Sequence, residues 1–476
     1  MTKNKKIIII VSIIIVLVLC IAAAVYFLII DKNDKTPTLQ ETVDNRIAAY
    51  GTDLADSMST MTDQSSVLRY LVTWAENKGI EVKTDDNGNV IYSISATEEF
   101  KDNPPVVILC GYDYTNMNSY INSLTCALTV AKNDAPHGEY KIIFVSEENG
   151  NKNNVKALSN KYFTPDTKVF CLSDTYSSRI ALSTGGFNKY TLSKELQSTE
   201  TSYDKAYKVT ISGLPANGFI SKYSSVPNPI KTLGNLLANF KSTSILFELA
   251  SFTGGGNISL LPQEASIIIV VNEDSSEKLE RNLQNAIDKF TDKYSEDYPD
   301  LQYTFEVVDT PSKVIKTEDA ESIVSLLYTA TDGVHYKDDD GEIASITNIG
   351  SISTENNMLN IEIAAASYDS ELISEISSAY ETISALTDVK YNCTELLEPF
   401  KANENGEALS VDFSKAYNRY QNIKLDKINI AEWTPCFEIN TKAKDMAVIS
   451  FGVTERTKDN FAGGLITYLQ TNAAKE

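Results

Sequence analysis

The chain has 476 residues, with 42 Lys and Arg against 64 Asp and Glu, a net charge of −22 and only two histidines. Beyond residue 35 the balance is 37 basic against 62 acidic residues, or −25, which excludes nucleic acid as a partner because phosphate binding needs clustered cations. Over 430 residues beyond the N-terminal segment exceed one ordinary core and imply two domains.

In chain order, residues 1–6 carry Lys3, Lys5 and Lys6, a basic tail expected to be cytoplasmic. Residues 7–30, from Ile7 to Ile30, contain no charge and are long enough to cross a hydrocarbon core. They read as a single-pass signal-anchor in the cell membrane, with the main body extracytoplasmic. The alternative is a cleaved signal peptide, with Ala22 to Ala24 as cleavage site. Residues 31–42 are polar, include Pro37, and read as a tether. Helices are expected at about 43–56 and 64–78, the second stopped by Gly79, followed by a hairpin turning at Asn87-Gly88. Three apolar runs follow, Val106 to Cys110, Tyr140 to Val145 and Lys168 to Leu172. Each ends in small or polar residues and helix-length segments separate them, the pattern of a mainly parallel sheet flanked by helices in an α/β domain. Such sheets gather ligands at the carboxyl ends of their strands, so Tyr112, Asp113, Glu147, Glu148 and Asp174 should lie near one another. From about residue 201 the pattern changes to an α+β one, with a helix at 276–294 and a three-glycine run, Gly254 to Gly256, read as a tight turn. A final strand (446–451) and helix (461–472) return to the first domain. The expected order is 43–200, first domain; 201–388, an inserted lid or dimerisation domain; and 389–476, first domain again.

The segments LRYLVTWAENKGIEVKTDDNGNVI, PPVVILCGYDYTN, HGEYKIIFVSEENG and CLSDTYS, with SFTGGGNISLLPQEA and MAVISFGVTER further on, resemble the di-zinc dipeptidases and deacylases, aminoacyl-histidine dipeptidase (carnosinase-like) most of all. The resemblance implies a zinc-peptidase fold and a homodimer formed through the inserted domain. It also implies two zinc ions held by two His and three carboxylates, with a further Glu as general base. Glu147 falls on that base and Glu148 and Asp174 on metal ligands. The first His position holds Tyr112, the metal-bridging carboxylate position holds Ser119, and the His that the second domain offers to substrate is Gly218. Ile258 and Ser259 replace a polar substrate-contacting pair. The last zinc-binding His is replaced in a segment ending at Asp459. His137 and His335 read as surface or loop residues, not ligands.

Zinc is therefore implied by the resemblance while its ligands are mostly absent. Glu147, Glu148 and Asp174 read either as inherited surface acids or, with Asp459, as a weak all-oxygen site for calcium or magnesium. Two function classes follow. One is a membrane-anchored dipeptidase-like protein that has lost zinc and catalysis and binds a peptide-like ligand or protein partner. The other is an active metallo-dipeptidase with a rebuilt, carboxylate-rich site. A scaffold that pairs only with itself is a third. The five cysteines beyond the anchor are scattered and odd in number, and do not make a disulfide framework.

Overall fold

The computed structural model describes residues 37–471 except 149–152, 175–177 and 221–225, together with the single residue Ile21. The expected anchor, 7–30, otherwise lies outside the described residues. Among those described, no helix is long and apolar enough to cross a membrane.

Helix α1 (Leu39–Met58) opens on a reciprocal cap in which Thr38 accepts from the Glu41 N–H while the Glu41 carboxylate accepts from Thr38 N. Helix α2 (Gln64–Asn77) is capped by Asp63 and ends before Gly79, whose φ of 70° suits a residue without Cβ. Strands β1 (Glu81–Thr84) and β2 (Val90–Ile94) form the hairpin around Gly88. Strand β3 (Val106–Tyr112), α3 (Ile121–Ala131), β4 (Tyr140–Ser146) and β5 (Lys168–Ser173) follow, and the three strands run parallel. They are buried almost throughout, because helices cover the sheet face formed by Ile108, Cys110 and Phe170 while a second apolar cluster covers Leu109 and Val169.

Strand β6 (Ile180–Glu195) is 16 residues long and belongs to two sheets. Its first residues pair with strands of the first sheet and its remainder, from Gly186, pairs with strands of a second. After β7 (Ser198–Glu200) come β8 (Lys205–Ser212), α4 (Pro229–Ser242), β9 (Glu248–Gly255), β10 (Ala265–Val271), α5 (Ser276–Tyr294) and β11 (Gln302–Val308). Next are β12 (Lys313–Ile315), α6 (Thr317–Thr329), β13 (Gly333–Lys337), β14 (Ile343–Ser353), β15 (Met358–Ser367) and α7 (Ser370–Leu386). Strand β16 (Lys390–Leu397) completes an antiparallel second sheet in the order β16-β6-β15-β14-β9-β10-β8-β11, with β13 beside β14. The glycine run ends β9: Gly255 has φ 69° and approaches the Gly350 backbone so closely that a Cβ there would lie 2.0 Å from its carbonyl oxygen. The loop before β10 is therefore longer than the tight turn expected, since its residues 257–261 lie against Asn217, Gly218 and Asn348.

The chain returns through β17 (Phe400–Lys401), α8 (Glu404–Gln421), β18 (Lys427–Trp433), α9 (Cys436–Asn440), β19 (Ala447–Gly452) and α10 (Lys458–Thr471). Strand β19 slots in parallel beside β5, giving the first sheet the order β1-β2-β4-β3-β5-β19-β6-β18. Phe170, Phe413, Phe451 and Phe461 stack under it with centroids 4.4–6.2 Å apart, locking α8 and α10 to the sheet.

Candidate functional site

The carboxyl ends of β3, β4 and β5 meet as expected, but Tyr112, Asp113, Glu147 and Asp174 each have a local partner there. Tyr112 closes β3 fully buried, and its hydroxyl donates 2.5 Å to the Gly88 carbonyl in the β1–β2 turn. Burial pushes this phenol up to about 12. Its own carbonyl accepts from Gln64 Nε2 at 3.2 Å and from Glu147 N at 2.9 Å. Gln64 also donates to Ser146 Oγ and accepts from Tyr114 N, so the first turn of α2 fixes both strand ends. Asp113 is buried and its Oδ1 accepts from the Thr115 N–H and hydroxyl, a cap for the short turn that follows.

Glu147 is 6% exposed, and its Oε2 accepts the Tyr120 hydroxyl at 2.9 Å. The two side chains lie over Gly111, where a Cβ would come within 2.7 Å of both Glu147 Oε1 and the Tyr120 ring. Burial, and then the Glu147 charge, hold the Tyr120 phenol well above its ordinary range, so it stays a neutral donor. Glu148 is exposed, one residue on.

Asp174 follows β5. Its Oδ2 accepts from Asn122 N at 2.7 Å and its Oδ1 from Ser123 N at 2.6 Å. These are second and third residues of α3, whose own preceding residue, Tyr120, supplies no side-chain cap. Asp174 is thus a cap supplied from another strand, favoured by the helix dipole. Burial raises its carboxyl to about 6, against the pull of the Ser123 and Asn122 hydrogen bonds. Asp174→Ala would leave two N–H groups at the helix start unpartnered, and a loss of about 1–2 kcal/mol in unfolding free energy is expected by chemical denaturation. Tyr120→Phe is expected to cost about 1 kcal/mol in the same measurement.

Asp459, the second residue of α10, lines a groove of about 600 Å³ between α1 and α10 with Asp44, Ile47, Gly51 and Ile121. Among the described residues, no three His, Cys, Asp or Glu side chains come together as a group able to hold a metal ion. The all-oxygen site expected of Glu147, Glu148, Asp174 and Asp459 is therefore not assembled, because Asp174 is turned onto the α3 terminus and Asp459 into the α1–α10 groove. The residues at the strand ends do not fit a two-zinc centre either: Tyr112 points to the Gly88 carbonyl, and Ser119 donates only to Asn116 Oδ1.

In the loops beside the second sheet, Gly218 bridges Leu260, Leu261 N donates to Asn217 O at 2.7 Å, and Asn348 Nδ2 donates to the carbonyls of Ile258 and Leu260. Residues 217–218 and 257–261 thus lie side by side. Among the described residues, no atom lies within 4 Å of where a Gly218 Cβ would stand. His137 lies in the loop before β4, as expected, but is buried there, its Nδ1 2.8 Å from the Gly138 carbonyl and its ring edge-on to Tyr140. His335 is half-buried with Nε2 2.8 Å from Thr347 Oγ1, and burial lowers its pKa. Sequence reasoning missed Tyr120 and Gln64. The one signal for Tyr120 was its place next to Ser119, where a carboxylate was expected.

No family model matches the chain, and no curated protein matches it in sequence. Among solved structures, aminoacylhistidine dipeptidase from Vibrio alginolyticus superposes with a TM-score of 0.63 at 17% identity, over 85% of this chain and 92% of that one. Human carnosine dipeptidase 1 aligns at a TM-score of 0.47 and 11% identity, over 92% of this chain. The chain thus shares the fold of aminoacylhistidine dipeptidase, as the strand-end motifs led one to expect.

Proposed function

We infer that this chain is a membrane-anchored, extracytoplasmic dipeptidase-like protein that binds a peptide-like ligand or protein partner in the former cleft without hydrolysing it. The observation that carries this reading is the engagement of two of the three surviving acids: Glu147 holds the Tyr120 hydroxyl and Asp174 holds two backbone N–H groups, which leaves Glu148 alone exposed at the strand end. A general base must be free to take a proton from water, and a zinc hydrolase needs three good ligands with one open position. Neither condition is met by groups already bonded to their own fold. Pairing of two copies through residues 201–388 belongs to the same reading.

The test is metal content and activity together. After equilibration with zinc and dialysis, the purified full chain is expected to hold far less than one zinc per chain and to leave dipeptides intact. Near-stoichiometric zinc that disappears in Glu148→Ala, together with dipeptide hydrolysis, would overturn this reading in favour of an active metallo-dipeptidase.

A further inference from the structure

The described body begins at the end of a short leash. Between Ile30 and the first residue of α1 lie eight residues, 31–38. Fully extended they reach roughly 28 Å. If 7–30 spans a bilayer, as proposed above, the start of α1 is held within that distance of the surface, and whatever lies beside it faces the headgroups. What lies beside it is the end of α8: Gln421 Nε2 donates to Gln40 Oε1 at 3.1 Å.

Helix α8 stops there because Asn422 takes a left-handed φ of 55° and accepts no further turn. The stop sets out an exposed run of Arg419, Asn422, Ile423 and Lys424, then Lys427 at the start of β18, with Leu425 turned inward. Ile423 is 51% exposed. Among the described residues, Arg419, Lys424 and Lys427 make no ion pair, unlike Lys415 higher on the helix, which meets Asp412 at 3.2 Å. Asp426 is the one acid within the run. The neighbouring acids of α1 are occupied, Glu41 by Thr38 and Asp44 by the Gln40 amide. A cationic patch with an apolar tip is out of keeping with a body of net −25, and its place at the root of the leash gives it a partner.

We propose that the α8–β18 corner, through Arg419, Ile423, Lys424 and Lys427, rests on the anionic phospholipid headgroups of the bilayer that the N-terminal segment spans. The cations meet phosphates, and Ile423 enters the interface, which orients the body on the membrane. This rests on the anchoring reading, so the experiment separates the two.

The full chain is reconstituted into phosphatidylcholine vesicles with and without phosphatidylglycerol, part of the lipid carrying brominated chains that quench indole. Trp74 and Trp433, the only tryptophans, are 5% and 9% exposed, so Ile423→Trp supplies the one exposed indole. Its emission should be quenched in anionic vesicles. The quenching should fall as salt is raised from about 0.1 M to about 1 M, where the Debye length shrinks from roughly 10 to 3 Å. Each of Arg419→Glu, Lys424→Glu and Lys427→Glu should weaken the contact at least about fivefold, and Lys424→Glu and Lys427→Glu, exposed beyond the end of α8, should leave thermal unfolding unchanged. Tyr328→Trp, at an exposed position of α6, should stay unquenched. A chain washed off the vesicles by alkali would overturn the anchoring and this proposal with it. A chain that stays while Ile423→Trp is unquenched, or quenched no more than Tyr328→Trp, would overturn the proposal and leave the anchoring intact.

Discussion

Gly185→Ala is expected to abolish the folded state or to reduce its stability by about 4 kcal/mol or more. At the point where β6 leaves the first sheet for the second, Gly185 lies so close to β18 that a Cβ would stand 1.7 Å from the Ala431 carbonyl oxygen and 2.4 Å from its carbon. Those are backbone atoms of a strand paired with β6, and no rotamer change can relieve the overlap. Gly186 repeats the problem on the next residue, where a Cβ would stand 2.4 Å from the Leu397 carbonyl oxygen as β16 ends. The chain crosses between its two sheets in both directions at this place, so a shift of β18 would disturb both. Yield of soluble chain and the denaturant midpoint measure the effect. Gly79→Ala, at a positive φ but with open space around it, is the control and should cost about 1 kcal/mol. A Gly185→Ala chain as stable as that control would show that β6 and β18 do not approach as described.

Asp332→Asn is expected to stabilise the protein at pH 8, with no gain at pH 4. Asp332 Oδ1 accepts from Ile349 N at 2.8 Å and from Asn228 Nδ2 at 2.9 Å, tying the residue that caps α4 to β14. Burial raises its carboxyl from 3.8 to about 6, in spite of those bonds and of Lys231 nearby. Lys231 does not fully neutralise it because its ammonium already donates to the carbonyls of Leu327, Tyr328 and Ala330 at the end of α6. With the folded pKa above the unfolded one, the folded state holds more protons between pH 4 and 6, so stability from this group falls as pH rises through that window. The full displacement corresponds to roughly 3 kcal/mol at most. Asn offers the same acceptor without the charge, so about 1–2 kcal/mol should be recovered at pH 8. Asp174, raised in the same direction to about 6, adds to the same slope in the unmodified chain. A denaturant titration of both proteins at the two pH values decides it, and equal stability of Asp332→Asn and the unmodified chain at pH 8 would refute the charge penalty.

How much was legible depended on whether the cause was local. The end of α2 followed from Gly79 after it, its Asp63 cap emerging only in the structure, and α5 spans the 276–294 expected of a long polar-faced helix. The runs ending at Cys110, Val145 and Leu172 are strands because a fully apolar run of that length is buried on both faces. The convergence of their ends followed from parallel pairing alone, and the fold followed from motif order.

The destinations of individual side chains did not. Asp174 and Asn122 are 52 residues apart, Glu147 and Tyr120 are 27 apart, and Asn228 and Asp332 are 104 apart. A carboxylate in a sequence carries no mark of whether its oxygens will meet a metal, a phenol or the start of a helix, since that choice is set by which helix terminus or hydroxyl the packed sheets bring within 3 Å. The amino-acid sequence by itself determined the α/β architecture and which residues stand at the strand ends, Tyr112, Glu147 and Asp174 among them, because periodicity, caps and residue identity are local properties. Only the tertiary structure decided that Glu147 is bonded to Tyr120 and Asp174 to the N-terminus of α3, because burial gives each charged oxygen a strong preference for whichever donor lies nearest once the chain has closed.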